Sequence, residues 1–184
     1  MLTLTWVLIG LAILIVLILI YYFNKFVVLG VRIDNSLSHI DVQLKKRADL
    51  VPNLVNLVKG YVKHEKDMIT KVTDARKALL AAKDISSKVK AGDKLQSALK
   101  TIFALAENYP NLKANENFLQ LQNELSAIED KVAYSRQYYN DNIQSYNTAT
   151  ETFPGIAFAK LFGKSKKEFL KITAKEAAVP NVEF

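Results

Sequence analysis

The sequence predicts an all-α protein, with an N-terminal transmembrane helix followed by an up-and-down antiparallel four-helix bundle of long helices. Three observations predict it. Leu2 to Phe23 is a run of 22 residues without a charge. Apolar residues after that run recur at intervals of three, four and seven, the period of helices with one buried face. Only 6 Gly and 4 Pro are spread over 184 residues, which leaves too few turn formers for many short strands. A chain of this length holds one domain rather than two. The divisions expected are an anchor over 1–25, a helical bundle over 26–152, and a basic and apolar tail over 153–184.

As a helix, the uncharged run spans about 33 Å, which matches the roughly 30 Å hydrocarbon core of a bilayer. Trp6 near one end and Tyr21, Tyr22 and Phe23 at the other occupy the places of aromatic belts. A cleaved signal peptide would need a basic leader and a small-residue cleavage site. No Lys or Arg precedes the run, and it leads into Tyr21-Tyr22-Phe23-Asn24-Lys25, so an uncleaved anchor is expected. Lys25 and Arg32 follow the helix closely, with Lys45, Lys46 and Arg47 a little later. The positive-inside rule then places the bundle in the cytoplasm and the N-terminus outside the cell membrane.

Beyond the anchor, Leu37, Ile40, Leu44, Val51, Leu54, Val58, Val62, Ile69 and Val72 form the first stripe. Pro52 interrupts it. Ala48 to Pro52 reads either as a tight connection, with Pro52 in the first turn of a new helix, or as a kink in one long helix. The connection is preferred, because folding back buries both faces within one chain. The apolar series then runs to about Ala82, and Asp84 to Gly92 reads as a polar turn. Leu95, Leu99, Ile102, Phe103 and Leu105 mark a shorter helix ending before Tyr109-Pro110. Phe118, Leu119, Leu121, Leu125, Ile128, Val132 and Tyr139 mark a long one from about Asn115 to Tyr146, ended by Phe153-Pro154-Gly155.

Parts for chemistry are missing from the sequence. With no cysteine there is no disulfide, thiolate metal site or cysteine nucleophile. The two histidines are His39 and His64; the residues three before them are Ser36 and Tyr61, so neither completes the Glu-x-x-His of a di-metal bundle. His64-Glu65 begins like a zinc-protease motif, but Met68 stands where the second His belongs. No nucleophile elbow or phosphate-cradling loop occurs. No catalytic residue, metal, cofactor, small-molecule substrate or nucleic-acid partner is expected. The net charge of +7 includes a net +5 over Ile156 to Lys175, in a chain with an apolar anchor, which suits a membrane surface better than nucleic acid.

Three stretches stand out. Asn108 to Phe118 places four asparagines around a turn. Capping is the first reading, with Asn115 starting a helix, and a polar recognition surface of Tyr109, Asn111, Asn115 and Asn117 is the second. Tyr134 to Phe153 is rich in tyrosine and asparagine; tyrosines at helical spacing are usually core, while exposed ones anchor interfaces, which makes Tyr138 and Tyr139 interaction candidates. Ile156 to Lys175 carries six lysines against Glu168 alone, interleaved with Phe158, Leu161, Phe162 and Phe169. That segment either lies on an anionic leaflet, with Lys160, Lys164, Lys166 and Lys167 as lipid contacts, or packs its apolar residues back along the bundle.

The stretch Ile40 to Val55, centred on Lys45-Lys46-Arg47-Ala48-Asp49-Leu50-Val51-Pro52-Asn53-Leu54, with Val58-Lys59-Gly60-Tyr61 and His64-Glu65 after it, closely resembles the first signature of LemA proteins. Ala106 to Leu119, with Glu107-Asn108-Tyr109-Pro110-Asn111-Leu112, resembles the second. Tyr139-Asn140, Tyr146-Asn147, Phe153-Pro154 and Leu161-Phe162-Gly163 resemble the third. The resemblance implies a prokaryotic single-pass membrane protein with a four-helix cytoplasmic bundle and no established enzyme activity. It also implies an accessory or scaffold role, since members are linked, mostly by gene neighbourhood, with HtpX-type membrane metalloproteases, and one branch serves magnetosome formation. The function expected is a non-enzymatic scaffold that binds another membrane protein, an HtpX-type protease being the suspected one, or self-associates through the bundle or the anchor flanked by Gly10 and Gly30. The alternative is a lipid-binding or membrane-shaping module that uses the basic tail.

Overall fold

The computed structural model describes residues 2–62 and 65–170, and every regular element among them is a helix. The order is α1 (Leu2–Tyr61), α2 (Lys66–Ala81), α3 (Ile85–Ala106), α4 (Pro110–Lys113), α5 (Glu116–Glu151) and α6 (Gly155–Leu161). His64 and Lys175, both weighed above, lie outside the described residues, as does the rest of the expected tail from 171 to 184. The chain divides into two compact units, residues 36–137 in one and residues 1–35 with 138–184 in the other.

In the unit of residues 36–137, the core is built from the anticipated stripes. Ile40, Leu54, Leu95, Leu99, Ile102 and Leu112 are fully buried, and Leu44, Val51, Val58, Val72, Phe118 and Leu125 nearly so. Burying such side chains yields roughly 1.5–3 kcal/mol each, which is what holds α1, α2, α3 and α5 together here.

Two boundaries differ from expectation. Pro52 does not open a new helix; α1 runs through it to Tyr61. The stripe keeps its phase across Ala48, Val51, Val55 and Val58, all buried, so the proline costs one backbone bond but no packing. The chain instead reverses beyond Tyr61. Asp84 to Gly92 is not a turn either. Asp84 is the N-cap of α3, its side chain accepting from the Ser87 N–H at 2.9 Å. The polar residues that suggested a turn are a solvated face: Ser86, Ser87 and Lys90 are exposed while Val89, Ala91 and Gly92 are buried. Gly92 serves close packing, since a Cβ there would lie 2.7 Å from Leu44 Cδ2.

Helix α4 is one turn, entered by Tyr109 with Pro110 at its first position. Asn115 caps α5, its Oδ1 accepting from the Phe118 N–H at 3.1 Å. Helix α5 extends to Glu151, one turn beyond the expected end at Tyr146. Phe153-Pro154-Gly155 then ends it, with a cis bond before Pro154.

In the other unit, the first third of α1 is the one helix among the described residues long and apolar enough to cross a membrane, and its apolar window is not buried anywhere in the protein. Leu2, Leu4, Trp6 and Leu17 each expose more than half of their surface. Exposed apolar area of this extent belongs in lipid rather than water. Past the aromatic end the same helix turns inward-facing: Phe26, Leu29 and Ile33 are buried, as are Tyr139, Ile143, Tyr146 and Ala149 of α5 and Ala159 of α6. Helix α6 closes with two bonds, Gly163 N–H to the Lys160 carbonyl (3.2 Å) and Lys164 N–H to the Ala159 carbonyl (2.8 Å). Gly163 supplies the left-handed φ of 62° that this cap requires.

Candidate functional site

A charged cluster crosses the core of the unit of residues 36–137. Arg47 of α1 is only 2% exposed, and its Nη1 donates to the Gly92 carbonyl at 3.4 Å. Arg136 of α5 is buried and paired with Asp93 of α3 at 3.1 Å. Gln96 donates to Glu129, and Lys100 pairs with the other oxygen of that carboxylate at 3.1 Å. Burial pushes the Arg47 guanidinium below its ordinary value, against the opposing pull of Glu129 and Asp93, and the positive charge of Arg136 lowers it further. Arginine stays charged at this site, so the two carboxylates act as its counter-ions. The cluster joins α1, α3 and α5 at one level. Arg47 stands seven residues from both Ile40 and Leu54, so a break in the stripe at a core position is the signal by which the sequence could have shown it.

Of the residues singled out for interaction, Tyr109, Asn111, Asn115 and Asn117 lie in this same unit. Tyr109 is half-buried at the start of α4, and Asn111 is exposed. Asn115 holds two elements at once, capping α5 with its oxygen while its amide donates to the Tyr61 hydroxyl at 2.9 Å. Asn117 is exposed on an open groove of about 470 Å³ that it shares with Asn53, Asn56, Gln120 and Glu124. Leu50, Leu57 and Leu121 complete its lining, so the groove offers amides for hydrogen bonds beside apolar surface.

Tyr138 and Tyr139 belong to the other unit. Tyr138 is 42% exposed, while Tyr139 is 7% exposed and part of the core. Burial, then the nearby charge of Asp34, raises the Tyr139 phenol above its ordinary range; burial alone raises that of Tyr146.

Aromatic residues join α6 to α1 in this unit. Tyr22 stacks on Phe158 with ring centres 4.8 Å apart, and Phe162 meets Phe23 and Phe26 edge-on at 5.5 and 6.4 Å. Phe26 in turn contacts Tyr146 at 6.3 Å. Gly155 permits this approach, because a Cβ there would fall 2.1 Å from the Ala149 carbonyl oxygen and 3.2 Å from Tyr22. Phe158 and Phe162 of the early tail therefore pack back onto α1, whereas Ile156, Leu161 and Phe169 stay exposed. Lys160 and Lys164 are exposed beside that clasp; Lys166 pairs with Glu151 at 3.0 Å, and Lys167 lies 5.5 Å over the Tyr146 ring.

Two asparagines passed over as site residues hold the next segment. Asn147 Oδ1 accepts from the Lys167 N–H at 2.8 Å, and its Nδ2 donates to the Lys167 carbonyl at 2.9 Å. Asn140 does the same to Leu170, at 2.9 and 3.1 Å. The signal in the sequence was the Tyr-Asn pair repeated seven residues apart: two helical turns, so that both asparagines share a side of α5.

The sequence pattern of the LemA family matches residues 36–184. The chain is 29% identical over 122 residues to protein LemA of Metamycoplasma hominis, an alignment covering 66% of this chain and 56% of that protein. It is 24% identical over 173 residues to magnetosome protein MamQ of Magnetospirillum gryphiswaldense, covering 80% and 64%, and 22% identical over 175 residues to magnetosome protein MamQ 2 of Paramagnetospirillum magneticum, covering 81% and 64%. The chain thus spans less than two thirds of the length of these relatives. With the family pattern running over most of an all-helical chain that carries an apolar N-terminal span, the protein belongs to the LemA family.

Proposed function

We propose that the protein is a non-enzymatic scaffold, fixed in the cell membrane by the first third of α1, whose cytoplasmic helices form an antiparallel four-helix bundle that binds another membrane protein. The observation that supports this most is the character of α1 itself. One helix carries a lipid-suited span with its apolar residues exposed and, from Phe26 onward, a stripe with its apolar residues buried. A partner in the same membrane is pre-concentrated in two dimensions, so modest contacts suffice for binding. An HtpX-type metalloprotease is the partner class the family resemblance favours, and self-association is the other outcome. Co-purification in several mild detergents tests this: a stoichiometric membrane protein or a homo-oligomer is expected, and recovery of a lone monomer in every detergent refutes it.

A second role is favoured by the clasp of α6 on Tyr22, Phe23 and Phe26. Those residues end the apolar span, so Lys160 and Lys164 lie close to the level of lipid headgroups, where each basic residue adds about 1 kcal/mol of attraction to an anionic surface. In nanodiscs with anionic lipid, amide exchange across 160–164 is expected to be slower than in zwitterionic ones. Lys160→Gln/Lys164→Gln should abolish the difference, and equal exchange in both lipids refutes the role.

A further inference from the structure

Asn140 and Asn147 contact the 167–170 segment through its main chain alone. Each side-chain amide meets the N–H and the C=O of one residue, a closed pair that demands an extended backbone and ignores the side chain attached to it. The spacings agree. Seven residues of α5 rise about 10.5 Å, and three residues of extended chain cover roughly 9–10 Å. The occupant itself is lightly held: Lys166, Lys167, Glu168 and Phe169 are exposed and Leu170 is half-buried, so little apolar surface is covered. Beyond the four amide bonds, the Lys167 ammonium over the Tyr146 ring and the solvent-exposed Lys166–Glu151 pair hold it. The exposed ion pair contributes little, and the four part-buried amide bonds are main-chain contacts that any extended segment can make in turn.

We infer that Asn140 and Asn147 form a binding site for extended polypeptide, which the chain occupies with its own residues 167–170 and yields to an extended segment of a partner protein. The geometry states the ligand's chemistry. The first and fourth residues cannot be proline, since both N–H groups are read; a basic residue at the first position meets the Tyr146 face, and an apolar residue at the fourth takes the place of Leu170. Peptide capture at this site is independent of the anchored scaffold role, because it requires neither a membrane partner nor a particular orientation.

The test uses the full chain in a non-ionic detergent and a fluorescent peptide with the sequence of residues 164–170. In Lys167→Pro/Leu170→Pro both N–H groups are gone, which empties the site without touching α5. This variant is expected to bind the peptide roughly tenfold or more tightly than the unaltered chain. Adding Asn140→Leu/Asn147→Leu should remove that binding. Should the added changes prevent folding, a peptide N-methylated at the residues matching Lys167 and Leu170, equal in charge and side chains but without the two N–H groups, is expected not to bind the emptied chain. Equal affinity of the two peptides, or of the emptied and unaltered chains, overturns the inference. So does crosslinking of the segment of one copy onto α5 of another with no capture of free peptide, which would assign the site to tail exchange.

Discussion

Arg76 of α2 donates from Nε to the carbonyl of Ala48 at 2.7 Å, and that carbonyl is the one in α1 left without a helical partner by Pro52. Ala48 is fully buried, so water is not at hand to satisfy its oxygen. A side chain 28 residues away thus makes a proline tolerable inside a long helix.

This relationship predicts a dependence on Arg76 that largely disappears once the proline is removed. Arg76→Met, which keeps the stem and removes the donor, should destabilise the chain by about 1–3 kcal/mol, the cost of orphaning a buried acceptor. Pro52→Ala restores the backbone bond and should stabilise by about 2 kcal/mol, less than the roughly 3 kcal/mol of an uncompensated helix proline. In the Pro52→Ala chain, Arg76→Met should then cost no more than about 0.5 kcal/mol. Denaturant unfolding of the four variants measures the coupling; equal costs in both backgrounds refute it.

The buried charges give a second expectation. Asp93→Ala removes a counter-ion from between Arg47 and Arg136. Stripping one partner from a fully buried pair costs about 3–5 kcal/mol, but the Asp93 side chain is 36% exposed and screened, which brings the expected loss to about 1–3 kcal/mol. Asp93→Leu/Arg136→Met should recover most of it. If the double variant is the less stable of the two, the cluster contributes net stability rather than register.

Apolar periodicity made the helices and their buried faces legible: Ile40, Leu54, Leu99, Ile102 and Leu125 were all placed inward from spacing alone. Periodicity is silent about a compensation that comes from elsewhere in the chain, and Pro52 was misjudged for that reason, because its partner Arg76 lies on another helix. Asp84 to Gly92 misled in the opposite way. Polar composition marks a solvated helix face as readily as a turn, and the deciding contact, Gly92 against Leu44, is tertiary. Asn115 was recognised as a cap because capping is local. Asn140 and Asn147 were not recognised as binding groups because their ligand is 20 to 30 residues downstream.

Tyr139 and Tyr146 set an alkaline limit for their unit. Both phenols have folded-state values raised above the ordinary 10.0, by burial in each case and at Tyr139 also by Asp34. A raised value means that the fold favours the protonated form. The stability so conferred is complete below pH 10 and is lost as pH rises through the higher folded-state values. An alkaline titration followed by phenolate absorbance should show a late-ionising fraction that coincides with the loss of near-ultraviolet circular dichroism. Tyr139→Phe/Tyr146→Phe should remove that fraction and move the alkaline transition upward; an unchanged titration curve excludes the assignment.

Gly155→Ala should undock α6. The added methyl would meet the Ala149 carbonyl oxygen at 2.1 Å, and backbone at the end of a helix cannot yield as a side-chain tip can. Overpacking of this kind costs about 1–3 kcal/mol, enough to break the ring contacts of Phe158 and Phe162 with α1. Gly60→Ala is the control, since a Cβ there meets nothing within 4 Å and a helical Gly→Ala change is expected to stabilise by up to about 1 kcal/mol. The chain has no cysteine, so a Tyr22→Cys/Phe158→Cys pair reports docking without a competing thiol. Oxidation should crosslink the pair efficiently in the parent and in Gly60→Ala, and poorly in Gly155→Ala. Equal crosslinking in all three would mean that α6 accommodates the methyl, and that the close approach at Gly155 does not determine the clasp.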